Sequence, residues 1–252
     1  MRAVVTTGRR YLPRGWSDLA RQMTIWFAFL LAYQVARGLA DRDPTRAFSN
    51  GLRVIDFESR AAGLYELTAQ RIVDSSVLLE KMATWTYWNS EFTVISVTLL
   101  FVYLRRHWAF TKFRNAILAT NVIGLAGYIL MPTAPPRMFP GYGFVDTLSQ
   151  VSPGFNHESS LIQLASNPYA AMPSLHAADA LVVGVMMAWV CKNKLARVLW
   201  AIWPAWVWFA VMATANHYWL DVAVGALVAL LGLALALGRE HHRVSAAAEA
   251  TV

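Results

Sequence analysis

Residues 167–179 read NPYAAMPSLHAAD, and about forty residues further along the chain residues 216–221 read NHYWLD. Each motif lies at one end of a long apolar run, so both are expected where a membrane-spanning helix meets the surface. A Pro-Ser pair opens the first run and places His176 in its first helical turn. In the second motif His217 and Asp221 are four residues apart, so on a helix they share one face. Two histidines and a carboxylate at span ends form the candidate reactive group.

The composition is that of a membrane protein. Of the 252 residues, 57% are hydrophobic and 15% are charged, whereas a soluble domain carries about a quarter charged residues. This fits one membrane domain and leaves little for a second, soluble one. The net charge of +7 would suit a nucleic-acid partner, but the basic residues are spread over the segments between apolar runs, so no nucleic acid is expected. The single Cys191 excludes a disulfide within the chain.

The apolar runs predict an all-α integral membrane protein, a six-helix bundle with amphipathic surface helices before the second span. The predicted spans are residues 22–39, 85–104, 113–131, 172–191, 198–216 and 219–237. The membrane catalytic domain is then 22–238, between an N-terminal segment (1–21) and a tail (239–252). A basic segment before an apolar run is also typical of a signal peptide, but the length of this run and the later spans favour a retained first span.

Residues 41–82 are more polar and carry apolar residues at helical spacing. Asp43-Pro44 predicts a helix start, with an N-cap followed by proline at the first helical position, and Gly63 predicts a break. Two amphipathic helices that lie on or dip into the membrane surface are therefore expected. A soluble helical hairpin is the alternative.

The distribution of Lys and Arg predicts the orientation. With six spans, one side of the membrane receives fourteen of these residues and the other side receives seven. The richer side is expected in the cytoplasm, together with both termini. Arg137, His176 and His217 then all lie on the extracytoplasmic side of a multi-pass protein of the cell membrane.

Three motifs in order, PTAPPR (132–137), AMPSLH (171–176) and NHYWLD (216–221), resemble the signature of the type 2 phosphatidic acid phosphatase superfamily. Their fuller context is similar to its inositol phosphorylceramide synthase branch, and the resemblance covers roughly residues 45–238. It implies a lipid phosphodiester donor, such as phosphatidylinositol, and an alcohol acceptor.

His217 is the expected nucleophile. A neutral imidazole attacks phosphorus in line and forms a phosphohistidine, provided that one ring nitrogen is free and the other is held. Asp221, one helical turn on, is expected to accept a hydrogen bond from the second nitrogen and to stabilise the imidazolium. The alternative is an interfacial His and Asp that cap the turn between two spans.

His176 is the expected general acid, which protonates the leaving alkoxide and then acts as base on the acceptor. The backbone N–H groups of Ser174, Leu175 and His176 are expected to point at the site, where a helix N-terminus favours an anionic phosphate. The resemblance places the corresponding Ser and His in these roles.

Arg137 offers a planar fork for two phosphate oxygens in a loop stiffened by prolines. An arginine that meets lipid headgroups is the alternative. The superfamily's phosphatases carry two further cations, where Leu130 and Val211 stand in this sequence. A singly charged phosphodiester needs fewer cations than a dianionic monoester, so the pattern favours transfer of a phospho-headgroup over hydrolysis.

Asp179 and Glu91 are acids inside predicted spans, where an ionised carboxylate is costly, so both are expected to face the bundle interior. Together with Asn216 they are candidates for binding headgroup hydroxyls. A wetted, purely structural role for the two acids is the alternative.

The sequence therefore predicts a lipid phosphotransferase that works through a phosphohistidine at His217, without metal or cofactor, on a lipid substrate in the membrane. The main alternative is a lipid phosphate phosphatase that hydrolyses phosphatidic acid or a polyprenyl phosphate. A metal-dependent hydrolase would use His176, His217 and Asp221 as a two-histidine, one-carboxylate site. A lipid transporter, whose polar residues line a path, is the alternative outside enzymes.

Overall fold

The computed structural model describes residues 12–39, 43–151 and 167–249, and these form a bundle of α-helices. The helices are α1 (Gly15–Leu39), α2 (Pro44–Ala61), α3 (Tyr65–Asp74), α4 (Val77–Ser90), α5 (Thr93–Arg105), α6 (His107–Leu130), α7 (Thr147–Val151), α8 (Leu175–Val190), α9 (Lys194–Ala213) and α10 (Trp219–Glu249). Two 3₁₀ turns, Pro136–Met138 and Pro140–Tyr142, follow α6. Within the described ranges the extended pairing is limited to one bridge, between Thr133 and Ala170. The predicted all-α fold is confirmed.

The outer surface of the bundle is suited to lipid. In the part of the chain that the structure describes, three helices are long and apolar enough to cross a membrane, namely α6, α9 and the Trp219–Gly238 part of α10, while α5 and α8 are apolar but shorter. Large apolar side chains on these outward faces are exposed, as they are at Val122, Leu199 and Leu231. Such a surface is unfavourable in water and favourable in hydrocarbon, as in a membrane protein.

Several helices differ in extent from the predicted spans. The span predicted at 85–104 is interrupted, because α4 ends at Ser90 and α5 begins at Thr93. The break falls in a polar run that contains Glu91, whose side chain is buried. The helix α10 continues to Glu249, well past the predicted end at 237, because Ala and Glu are strong helix formers. Hydropathy predicted the apolar parts of these helices. The ends of the helices are determined by helix propensity and tertiary packing, which hydropathy does not measure.

The polar segment before α4 forms two short helices, as predicted. The side chain of Asp43 accepts a hydrogen bond from the Thr45 N–H at 2.9 Å, and Gly63 breaks the chain at a φ of +95°. One face of α2 packs on the protein, because Ile55 lies in a cluster with Phe139 and Tyr218. Residues 1–11, 40–42, 152–166 and 250–252 lie outside the described residues.

The helix α8 is at the centre of the bundle. It packs against α6, α9 and α10, and twelve of its sixteen residues are buried. The helix α10 approaches the start of α8 closely at Gly225, where a Cβ atom would collide with the carbonyl oxygen of Ser174. A glycine at this position therefore lets the first turns of the two motif-bearing helices lie side by side.

Candidate active site

The two predicted histidines lie next to each other at one end of the bundle. The ring centroids of His176, in the first turn of α8, and His217, in the connection from α9 to α10, are 5.5 Å apart. Both side chains are buried. The helices α8 and α9 and the connection to α10 therefore bring two residues 41 positions apart into one site.

His217 is held by its Nδ1 atom. This atom lies 2.9 Å from the carbonyl oxygen of Ala171 and 3.4 Å from Oδ2 of Asp221. The carboxylate oxygen also accepts a hydrogen bond from the Tyr218 N–H at 3.0 Å. The closest partner of the imidazole is thus the Ala171 carbonyl, and not Asp221 as the sequence predicted. A carbonyl accepts only, so Nδ1 carries the proton and Nε2 carries the lone pair.

The Nε2 atom of His217 has no hydrogen-bond partner in the part of the chain that the structure describes. Burial lowers the pKa of His217 to about 3, and the positive charges of Arg137 and Arg37 act in the same direction. The imidazole is therefore neutral near pH 7. A neutral ring with a free Nε2 has the protonation state that attack on phosphorus requires.

His176 lies between an aromatic ring and a carboxylate. Its ring stacks on Tyr87 with the centroids 4.5 Å apart, and its Nε2 lies 3.2 Å from the Tyr87 carbonyl oxygen. The same Nε2 is 3.4 Å from Oε2 of Glu91. Glu91 was predicted to bind headgroup hydroxyls, but the structure places it against His176, where a negative charge stabilises the imidazolium form.

The start of α8 is tied to α10. The Ser174 side chain caps α8 by accepting from the Ala177 N–H at 3.2 Å, and the Ser174 N–H donates to the Asp221 carbonyl at 3.0 Å. The prediction that this N–H is free to bind phosphate is therefore wrong. The Leu175 N–H lies against the hydroxyl of Tyr128. The positive end of the α8 dipole remains beside His176.

Arg137 is buried and held from two sides. Its Nη1 donates to Oδ1 of Asn216 at 2.6 Å, and its Nε lies 3.9 Å from Asp146. Its backbone N–H donates to the carbonyl of Ala215 at 2.8 Å. Burial lowers the pKa of Arg137, although a guanidinium stays charged at neutral pH. Asn216, predicted to bind headgroup hydroxyls, instead positions this guanidinium.

Asp179 lies below His176 inside the bundle. Both of its carboxylate oxygens accept from the Nδ2 of Asn121, at 2.9 and 3.1 Å, and its side chain is 1% exposed. These contacts favour the structural alternative for Asp179, since its carboxylate is already engaged between α6 and α8.

Comparison with known proteins agrees with this geometry. The family model of the PAP2 superfamily matches residues 52–235, a range that contains all three motifs. The chain belongs to the PAP2 superfamily. The resemblance predicted from the motifs is therefore confirmed.

Two curated relatives of this superfamily member are named as synthases. A phosphoinositol dihydroceramide synthase of Bacteroides thetaiotaomicron is 33% identical over 135 residues, which are 49% of this chain and 44% of the relative. An inositol phosphorylceramide synthase of Candida albicans is 24% identical over 129 residues, which are 44% of this chain and 26% of the relative. The chain thus spans less than half the length of these relatives.

The fold is shared with a solved structure. The crystal structure of Aquifex aeolicus LpxE superposes with a TM-score of 0.51, at 14% sequence identity, over 79% of this chain and 99% of that one. At this identity the likeness establishes the arrangement of helices, and the activity has to be argued from the site.

The sequence left open a metal-dependent hydrolase, in which His176, His217 and Asp221 together would hold the metal ion. Among the described residues, no three His, Cys, Asp or Glu side chains are arranged to hold one metal ion. Nδ1 of His217 and Oδ2 of Asp221 already have hydrogen-bond partners within the protein, the Ala171 carbonyl and the Tyr218 N–H.

Two carboxylates outside the PAP2 motifs hold the start of α10, and sequence reasoning missed both. Glu58 of α2 accepts from the Leu220 N–H at 2.8 Å, and Glu66 of α3 accepts from the Trp219 N–H. Burial raises the pKa of Glu58 to about 9 and that of Glu66 to about 7. The signal was present at Glu58, which follows Ile55 by three residues and so lies on the buried face of α2.

Proposed function

We propose that this protein is a membrane lipid phosphotransferase that moves a phospho-headgroup, of the inositol phosphate kind, from a phospholipid to an alcohol. The observation that carries the proposal is a neutral His217, whose ring lies 5.5 Å from that of His176. Its Nδ1 lies on the Ala171 carbonyl, and its Nε2 has no hydrogen-bond partner among the described residues. The buried guanidinium of Arg137 lies beside this pair. The names of the two curated relatives support the same reaction class.

In the first half-reaction, Nε2 of His217 attacks the phosphorus of the donor. The phosphorus–nitrogen bond forms as the bond from phosphorus to the diacylglycerol oxygen breaks, and His176 gives its proton to that oxygen. The imidazolium that forms at His217 is stabilised by Asp221 at 3.4 Å. The ring centroids are 5.5 Å apart, so one phosphate group bound beside the two rings can contact both.

In the second half-reaction, the acceptor hydroxyl gives its proton to His176 and attacks the phosphohistidine. The phosphorus–nitrogen bond breaks and the neutral His217 is restored. Glu91, 3.4 Å from His176, stabilises the protonated ring that exists before the first half-reaction and again after the second. The same residue therefore acts as acid in one step and as base in the next.

The charges of the site favour a phosphodiester over a monoester. Where the phosphatase pattern carries two further cations, this chain has Leu130, which is exposed, and Val211, which is fully buried. Opposite unit charges 4 Å apart attract by about 4 kcal/mol at an effective dielectric near 20, so each missing cation weakens the binding of a dianion more than of a monoanion. The donor is therefore a diester such as phosphatidylinositol.

We place this site on the extracytoplasmic side of the membrane, with both termini in the cytoplasm. The excess of Lys and Arg on the opposite side, fourteen against seven, supports this orientation.

The test is to measure diacylglycerol release by the purified protein from phosphatidylinositol and from phosphatidic acid, with and without a lipid alcohol, in the presence of a chelator. Phosphatidylinositol should be the better donor, and the alcohol should accelerate release and appear as a phosphorylated product. His217→Ala is the matched inactive control. If phosphatidic acid is the better donor and alcohols have no effect, the protein is a phosphatase. Loss of activity with the chelator would favour the metal-dependent rival.

A further inference from the structure

Arg37 is a charged residue in an unusual place. Of the 22 Lys and Arg residues, fourteen are counted on one side of the membrane and seven on the other, and Arg37, inside the predicted span 22–39, is counted on neither side. A charged side chain within a span is costly and rare, and it usually faces the bundle interior with a functional partner.

The structure places Arg37 next to the start of α8. It lies in the last turn of α1, and its guanidinium carbon is 5.6 Å from the ring centroid of Tyr128. The Tyr128 hydroxyl in turn lies against the N–H of Leu175, the residue before His176. The guanidinium is also electrostatically coupled to Glu91, the carboxylate that contacts His176. Arg37 is thus a neighbour of the site from a helix that carries none of the motifs.

Among the described residues, the guanidinium of Arg37 has no hydrogen-bond or ion-pair partner. Its Nε is buried without a hydrogen bond, and no ion pair joins Arg37 to another described residue. Its neighbours Tyr33, Tyr128 and Glu91 are buried, whereas Arg37 keeps part of its surface exposed. A buried donor without a partner is unfavourable, so the arrangement fits a side chain that binds an anion.

We propose that Arg37 is a second phosphate-binding residue, which together with Arg137 holds the phosphate of the lipid donor beside His176 and His217. The inference deepens and rests on the proposed function, and it assigns a ligand class, a phosphate group with a planar pair of acceptor oxygens. A phosphodiester carries one negative charge and gains a second when the nucleophile adds. Two guanidinium groups balance the two negative charges of that transition state, whereas the transition state of a monoester carries a further negative charge and would need a third cation.

The first experiment measures phosphate binding and needs no turnover. Inorganic phosphate and orthovanadate are titrated into the full-length protein in detergent, and the ligand-induced rise in melting temperature is recorded for the wild type, Arg37→Gln, Arg37→Lys and Arg21→Gln. Arg21 is the matched control, because it lies on the same helix, is 65% exposed and pairs with Asp18. Arg37→Gln should raise the dissociation constant roughly 10- to 100-fold, as expected for loss of a hydrogen bond to a charged group. Arg37→Lys should retain part of the affinity.

The second experiment separates binding from catalysis with a phosphatidylinositol donor. The guanidinium of Arg37 is expected to stabilise the negative charge that develops on the phosphate in the transition state. Arg37→Gln should therefore lower kcat more than it raises KM. Equal phosphate affinity in Arg37→Gln and Arg21→Gln would overturn the proposal and leave Arg37 as a support for the Tyr128 ring. No phosphate binding by the wild type would overturn it as well. If the wild type binds phosphate through Arg37 but transfers no headgroup, this inference stands and the proposed function fails.

Discussion

Replacing Glu58 by glutamine tests how the first turn of α10 is held in place. Burial, followed by the charges of Glu66 and Asp221, raises the pKa of Glu58 from 4.5 to about 9. The folded protein therefore binds this proton more tightly than the unfolded chain. The resulting stabilisation is complete below about pH 4.5 and is lost as the pH rises through 9.

The size of the effect follows from the same pKa. Between pH 7 and 8.5, where Glu58 is protonated only in the folded protein, each pH unit costs about 1.4 kcal/mol of unfolding free energy. The total over this interval is about 2 kcal/mol, which in a chain of this length lowers the melting temperature by about 4–8 °C. Glu58→Gln is neutral at every pH, and its amide oxygen still accepts from the Leu220 N–H, so its melting temperature should be nearly constant over the interval.

The assay is thermal unfolding in detergent at four pH values from 7 to 8.5, with Asp56→Asn as the control. Asp56 lies on the same helix, is 57% exposed and pairs with Arg60, so its variant should follow the wild type. At each pH, the melting temperature of the wild type is subtracted from that of the variant. This difference removes the contributions of all other groups that titrate in this range. If Glu58→Gln loses as much stability as the wild type, Glu58 is already ionised in the folded protein at pH 7 and the reasoning is refuted.

Three further predictions concern the reaction and the topology. His217→Ala should abolish both transfer and the radiolabel that a labelled donor leaves on the protein at alkaline pH; persistent turnover would end the phosphohistidine mechanism. Asn216→Ala removes the acceptor that holds Arg137, so KM for the donor should rise about tenfold or more, and an unchanged KM would contradict that role. In a background without the native cysteine, Gly141→Cys should react with a membrane-impermeant thiol reagent on intact cells and Lys192→Cys only on opened membranes. The reverse order of labelling would place the site in the cytoplasm.

The helices and the reactive group could be predicted because their signals are local. Apolar runs of bilayer length, the cap at Asp43 and the break at Gly63 depend on residues within a few positions of each other. The placement of His176 and His217 at neighbouring helix ends required only that their spans be adjacent. The interruption after Ser90 was not predicted, since a window that averages hydropathy passes over a polar run of three residues.

The partners within the site could not be predicted, because they depend on tertiary contacts. The acceptor for His217 is the backbone carbonyl of Ala171, and a backbone atom leaves no trace in the residue types. Asn216 was assigned to the substrate because nothing in its motif indicated that Arg137, 79 residues away, would take its oxygen. Arg37 was passed over because charge counting considers only the segments between spans.

The main-chain hydrogen bond from Ser174 to the Asp221 carbonyl has a practical consequence for engineering this enzyme. Because main-chain atoms make this contact, the spacing between the rings of His176 and His217 should survive most changes of side chain. Within the described residues, no hydrogen bond between main-chain atoms joins α1 or α4, which carry Arg37 and Tyr87, to this unit; each contact involves at least one side chain, such as that of His176. Efforts to redirect the protein towards another headgroup or acceptor alcohol should therefore diversify those two helices and keep the starts of α8 and α10 unchanged.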